Sequence, residues 1–185
     1  MDLWHKPVFE MGNSQSRYDG NTIQGMVECT DYRVVVGIKV INNTSYDLKN
    51  GQAVLEWGYL QTIPDEIAAE NSGILISHKN AVTFTGTSGV ASWQIGDTQQ
   101  RLVVMWSAPY NFDFYDNVLA VGFGLEHPSF DTIYKLLNSN TNAYMDIGKY
   151  YHGSRTLKAG YENLKVNGIM GTAHKAVATI TLNIN

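Results

Sequence analysis

A single cysteine, Cys29, stands in a chain of 185 residues. No intramolecular disulfide framework and no thiolate metal centre can be built from it, and its expected place is that of a small buried apolar residue on an early strand. Proline is scarce, with four in the chain, and charge is thin, Asp, Glu, Lys and Arg together making up 16%. The formal net charge is −4, and residues 126–185 carry six basic side chains against four acidic ones, so the acidity lies in the first two thirds. No run of basic residues occurs. That absence excludes a nucleic-acid track and purely electrostatic capture by an anionic bilayer. No apolar stretch approaches the roughly 20 residues of a spanning helix. The N-terminus lacks the basic, apolar and small-residue layout of a signal peptide, which leaves a chain stored in the cytosol or a mature form that acts after secretion or at a membrane.

Catalytic signatures are missing as well. His5, His78, His127, His152 and His174 have no ligand spacing, so no metal site is expected. No G-x-S-x-G or P-loop occurs, and no local signature nominates a carboxylate pair for glycoside hydrolysis. The expectation is a protein without catalytic residues, metal or cofactor, and not an enzyme.

What the chain does have is Gly and Tyr, 17 and 11 respectively, arranged around period-2 segments. In 33–40, Val34, Val36, Ile38 and Val40 take one face, and Arg33, Val35, Gly37 and Lys39 the other. In 53–60, Leu55, Trp57 and Tyr59 alternate with Glu56 and Gly58, and near the C-terminus Ala178, Ile180, Leu182 and Ile184 alternate with polar residues. Such strands, separated by Asn, Gly and Ser turns, predict a mainly β chain folded as an antiparallel β-sandwich. One segment departs from that period. Phe130, Ile133, Tyr134 and Leu137 recur at i, i+3, i+4, i+7 behind Ser129, a capping residue, which predicts one flanking α-helix over 129–138. Asp65–Glu70 is too short for a second and reads as loop. Residues 32–185 form the expected sandwich domain, preceded by an arm over residues 1–31. In that arm Leu3, Trp4, Val8 and Phe9 are apolar, but Pro7, Gly12, Gly20 and Gly25 interrupt any long amphipathic stripe. An interfacial anchor and an extended strap against the sandwich are both open for it. Asn42-Asn43-Thr44 matches a glycosylation sequon inside a turn, where a chance match is the better reading.

The richest segment is Arg101–Leu119. The dense apolar run Leu102–Trp106 breaks at Ser107-Ala108-Pro109 into a loop bearing Tyr110, Phe112, Phe114 and Tyr115, spaced by Asn111, Asp113 and Asp116. Four rings on a polar, turn-rich segment either pack down under the loop or present themselves to a ligand or bilayer.

Trp106-Ser107-Ala108-Pro109-Tyr110-Asn111 followed by Phe114-Tyr115-Asp116-Asn117 resembles the actinoporins, pore-forming cytolysins of sea anemones with relatives in molluscs, fish and mosses. The likeness extends to Tyr32–Ile41, Thr85–Ile95 and Gly168–Ile184, and leaves the first 31 residues uncovered. It implies a β-sandwich with a flanking helix and a phosphocholine site caged by Tyr rings, since a quaternary ammonium is held by cation–π contact. Carried over by position, the headgroup residues are Ser107, Pro109, Tyr115, Tyr134 and Ser88. Ser88 stands where the family has Val, and Asn111 where it prefers Asp. The membrane-contact rings are Tyr110, Phe112 and Phe114. The family's Trp pair falls on Phe114 and Val118, and two further helical Tyr fall on Asn138 and Ser139, so the cage is partial and the interfacial anchor weaker.

The resemblance implies a membrane-binding, pore-forming cytolysin whose partners are choline lipids such as sphingomyelin and further copies of itself on the membrane. The absent amphipathic helix keeps an alternative open, a lectin-like module for glycans or a lipid-headgroup binder without a pore.

Overall fold

The computed structural model describes residues 20–138, 144–151, 153 and 155–184. The chain runs α1 (Gly20–Glu28), β1 (Val35–Asn43), β2 (Leu48–Trp57), β3 (Tyr59–Thr62), β4 (Ser72–His78), β5 (Thr87–Ile95), β6 (Arg101–Ala108), β7 (Asn117–Gly124), α2 (Phe130–Tyr134), β8 (Met145–Tyr150), β9 (Leu157–Tyr161), β10 (Leu164–Met170) and β11 (Lys175–Ile184). One sheet has the order β3-β4-β1-β11-β10-β9 and the other β2-β5-β6-β7-β8. Every pairing is antiparallel except that of β1 with β11, which run parallel from Val35↔Lys175 to Asn43↔Asn183. The expected sandwich is the observed one.

Alternation in the sequence sorts side chains between its layers. Val34, Val36, Ile38 and Val40 join Trp93, Leu102, Val104, Trp106, Leu119 and Ile180 in the core between the sheets. The other face of β1 is not solvated. Val35 packs with Ile74, Ile76 and the α1 residues Ile23 and Val27 in a second apolar layer outside the sheet. Gly37 makes room for that helix, since a Cβ there would lie 2.6 Å from Val27 Cγ2 and 3.1 Å from Ile23 Cγ1. Lys175 Nζ closes the arrangement by donating to the Glu28 and Thr30 carbonyls at 2.8 and 2.7 Å, a cation on the negative end of the helix dipole. The sequence reading took Gly20 and Gly25 as interruptions. A one-sided contact needs only an i, i+4 pair, and Ile23 with Val27 supplies it. Cys29 corrects its expected place: it follows α1 and is exposed. Residues 1–19, and with them the anchor or strap formed by Leu3, Trp4, Val8 and Phe9, lie outside the described residues.

A second difference lies at Gly58. The alternating segment 53–60 is two strands, β2 ending at Trp57 in one sheet and β3 starting at Tyr59 in the other. Gly58 has φ +94° and sits where a Cβ would meet the His78 carbonyl at 2.4 Å, so only glycine turns this corner. In the sequon, Asn42 is fully buried, and its Nδ2 donates to the carbonyls of Tyr46 (2.7 Å) and Ala68 (3.1 Å). That residue ties a turn and is inaccessible to a glycan.

The predicted helix is present as α2 followed by a 3-10 turn over Lys135–Asn138. Ser129 caps it by accepting from the Thr132 N–H. Ile133 is buried on the outer face of the β5–β8 sheet against Val90, Met105, Val118 and Ala120, with Phe130, Tyr134 and Leu137 beside it. On the same sheet, buried Arg101 donates from Nε to Ser92 Oγ at 2.9 Å and from Nη2 to the Asn50 carbonyl at 2.8 Å. Ser92 Oγ in turn lies 2.8 Å from His127 Nδ1. Burial first, and the Arg101 charge second, hold the His127 pKa below its ordinary 6.5.

Two outcomes are expected. Gly37→Val should cost about 1–3 kcal/mol in urea denaturation, as an overpacking change that pushes α1 off β1, and an unchanged midpoint would remove Gly37 as its seat. His127 binds its proton more readily in the unfolded chain, so its contribution to stability is complete above the ordinary value of 6.5 and declines as pH falls toward its folded pKa. His127→Gln should therefore flatten the pH dependence of the urea midpoint between about pH 7.5 and 5 relative to the parent chain.

Candidate functional site

Strands β2, β4, β5, β6, β7 and β11 bring to one end of the sandwich the turn at Gly58, the β4–β5 loop (79–86), the β6–β7 loop (109–116) and the β10–β11 turn (171–174). A cleft of about 720 Å³ opens there. Strand ends contribute Thr87, Ser88, Ser107 and Ala108, the loops Phe84, Pro109, Phe114 and Tyr115, α2 Phe130 and Tyr134, and the end of β2 Trp57. None of its lining residues is charged. The surface is one of aromatic rings, hydroxyls and backbone.

All five residues expected to hold a headgroup line this cleft. Ser88 and Ser107 are register partners across β5 and β6, which is why a residue from the Gly-rich strand and one from the apolar strand meet. Tyr115 stands 65% exposed on the loop. Tyr134 reaches the cleft from α2, its ring stacked on Phe130 at 5.3 Å between centroids. Burial, and then the proximity of Tyr115 and Asp116, push the Tyr134 phenol above its ordinary pKa, so it is a neutral hydroxyl throughout the neutral range. The three rings expected at a membrane divide. Phe114 is 77% exposed and lines the cleft; Tyr110 lines it from a half-buried position against the core. Phe112 is not among the cleft residues, and packs on the His174 ring at 4.2 Å. Of the remaining family positions, Val118 is buried beneath α2, Asn138 ends the 3-10 turn, and Ser139 lies outside the described residues.

Sequence reasoning missed Trp57, Phe84 and Phe130 as cleft residues. Trp57 is 56% and Phe84 83% exposed. The one available signal was Val82 and Phe84 alternating with Thr in an otherwise polar connection, a pattern that also reads as strand. Trp57 gave no signal, because its side depends on the corner at Gly58.

The aromatic loop is held from behind. The Asn117 carboxamide donates to the Gly171 and Ala173 carbonyls, both at 3.0 Å, and His174 Nε2 donates to the Tyr110 carbonyl at 2.9 Å. The Arg33 guanidinium lies over the Tyr110 ring, 4.6 Å from its centroid. Behind the cleft a buried hydroxyl chain joins the sheets: Trp106 Nε1 donates to Thr87 Oγ1 at 3.4 Å, Thr87 is hydrogen-bonded to Ser77, and Ser77 donates to the Tyr59 carbonyl at 3.1 Å. Among the described residues no group of His, Cys, Asp and Glu could hold a metal ion, and no helix is long and apolar enough to cross a membrane.

No protein-family profile matches the chain. Among known proteins it is similar to Echotoxin-2 of Monoplex parthenopeus, 36% identical over 163 residues that cover 83% of this chain and 58% of that one. It therefore spans less than two thirds of that relative's length. Tereporin-Ca1 of Terebra anilis is 29% identical over 175 residues, covering 88% and 90% of the two chains. Among solved structures the lipid binding protein Nakanori superposes with a TM-score of 0.68 at 17% identity, covering 86% of this chain and 76% of its own, which is a likeness of fold. In sequence the chain is thus similar to Echotoxin-2 and Tereporin-Ca1, in line with its resemblance to actinoporin-like proteins, and in fold it is similar to Nakanori.

Proposed function

We propose that the chain binds membranes through the cleft end of the sandwich, taking a choline headgroup between Tyr115 and Tyr134, and forms pores as an assembly of several copies. The observation that carries this reading is an uncharged cleft walled by Tyr and Trp rings, with Ser88, Ser107 and Pro109 among its lining, in a chain related to a toxin and a porin. A trimethylammonium group offers no hydrogen-bond donor, so ring faces are its natural partners. Ser hydroxyls and loop backbone are the neutral groups available to an adjoining phosphate. Without a fixed countercharge the cleft suits a zwitterion, sphingomyelin or phosphatidylcholine, over an anionic lipid. A secreted or membrane-associated site of action accords with a relative that is named a toxin.

A second reading, headgroup binding without a pore or a lectin-like use of the cleft for glycans, draws on α1. Its Ile23 and Val27 are already spent on the sheet. Its 9 residues span only about 14 Å at 1.5 Å per residue, against a hydrocarbon core of roughly 30 Å. Pore formation requires that α1 leave its seat and that the chain preceding it join it.

Vesicle sedimentation and dye release, run together with a glycan array, separate these readings. Binding to sphingomyelin or phosphatidylcholine vesicles should change little as salt is raised, because no ion pair is involved. Tyr115→Ala and Tyr134→Ala should each weaken it about tenfold, the scale of one partly desolvated cation–π contact. Leakage accompanying binding supports the pore; binding without leakage moves the chain to the headgroup-binding reading, and glycan binding without lipid binding to the lectin-like one.

A further inference from the structure

The most exposed apolar side chains described are not on the aromatic loop. Val82 is 88% and Phe84 83% exposed, both on the β4–β5 loop. This loop is built rather than slack. The Asn80 side chain accepts from the Val82 N–H at 3.2 Å, and the Thr83 and Thr85 hydroxyls bond one another at 2.6 Å. Lys79 Nζ donates to the Asn80 and Ala81 carbonyls. The Phe84 ring stands edge-on to Tyr110 at 5.5 Å. Gly86 lets this loop lie directly on the strand end beside it, where a Cβ would run into the Ala108 carbonyl. A hydrogen-bonded turn that holds two apolar side chains in water spends stability on their exposure.

We propose that the β4–β5 loop is a second membrane-inserting prong, Val82 and Phe84 entering the bilayer interface on one side of the cleft while Phe114 enters on the other. The occupant follows from the charge pattern and from continuity with the cleft. Ala81–Thr87 carries no charge, and the Lys79 ammonium at its base is buried and taken up by the Asn80 and Ala81 carbonyls, so the tip offers only apolar and hydroxyl surface. An uncharged tip beside a cleft without charged lining suits the interface of a zwitterionic leaflet, with Val82 and Phe84 at the acyl boundary. Trp57, in the cleft wall, adds a ring of the type that favours the headgroup level. The proposal rests on the reading that the cleft end meets lipid, and it adds that contact is two-pronged and straddles the headgroup site.

The test uses the full chain, vesicles of phosphatidylcholine and sphingomyelin, and two kinds of variant. Val82→Ser with Phe84→Ser should leave the thermal unfolding midpoint in place, since both side chains are exposed, yet weaken vesicle binding about tenfold. In a Cys29→Ser background, Val82→Cys carrying a polarity-sensitive dye should brighten and shift to the blue with vesicles, and stay unchanged with soluble phosphocholine. Unaltered affinity with a silent dye, while the parent chain still binds vesicles, overturns the prong and leaves the headgroup reading standing. Failure of the parent chain to bind any vesicle overturns both. A parent chain that dimerises in sedimentation without lipid, and becomes monomeric on Val82→Ser with Phe84→Ser, assigns the loop to a second copy and overturns the proposal.

Discussion

Everything at the functional end depends on one constraint: the loop between β6 and β7 is fastened from below so that its tip can stay in water. An eight-residue connection bearing four rings would ordinarily collapse onto apolar surface, because each buried ring gains free energy. Here that gain is taken by Phe112 on His174 and by half of Tyr110. Hydrogen bonds from Asn117 and His174 then fix the backbone to the β10–β11 turn. With those positions spent, Phe114 and Tyr115 project beyond the packing, and Pro109 and Ser107 are held across from Ser88. The charge on Arg33 serves the same end, since it braces the Tyr110 ring rather than entering the cleft.

A second constraint lies at β1, which is buried on both faces. Its inward residues belong to the sandwich core, and its outward face is covered by α1 through two aliphatic side chains, a glycine and a lysine cap. The two faces differ greatly in strength. The inner layer joins both sheets, whereas the α1 seat is one short helix laid on a finished surface. Local opening free energies follow how much apolar surface an element buries, so α1 can open at a cost well below that of the sandwich. Under the pore-forming reading this is the element that must move, and none of its residues lines the cleft.

Fold class was legible in the chain because alternation at period 2 is a local property, which β11 displays from Ala178 to Ile184 and β1 on its inward residues. The helix at Phe130 was legible for the same reason, with Ser129 marking its start. The corner at Gly58 was not, since Leu55, Trp57 and Tyr59 keep their alternation straight through a switch of sheets. Nor was α1, whose only signal is Ile23 and Val27 with Gly20 before them and Gly25 between them, too weak without the facing Gly37. Cys29 was misplaced for the same reason, because it follows the helix that was not foreseen.

The candidate site divides along the same line. Sequence by itself determined the chemistry available: the Ser-x-Pro turn, the rings at Tyr110, Phe114 and Tyr115, the amphipathic placement of Tyr134, and the want of any charged or metal-binding cluster near them. Those follow from residue type and local spacing. Only the tertiary structure decided that Ser88 faces Ser107, that Tyr134 reaches Tyr115 over the back of a sheet, that Phe112 turns inward while Phe114 does not, and that Trp57 and Phe84 stand in the same wall. Each of those joins residues from separate strands or loops, and strand register, a glycine corner and close backbone contacts between loops are set by packing rather than by neighbours along the chain.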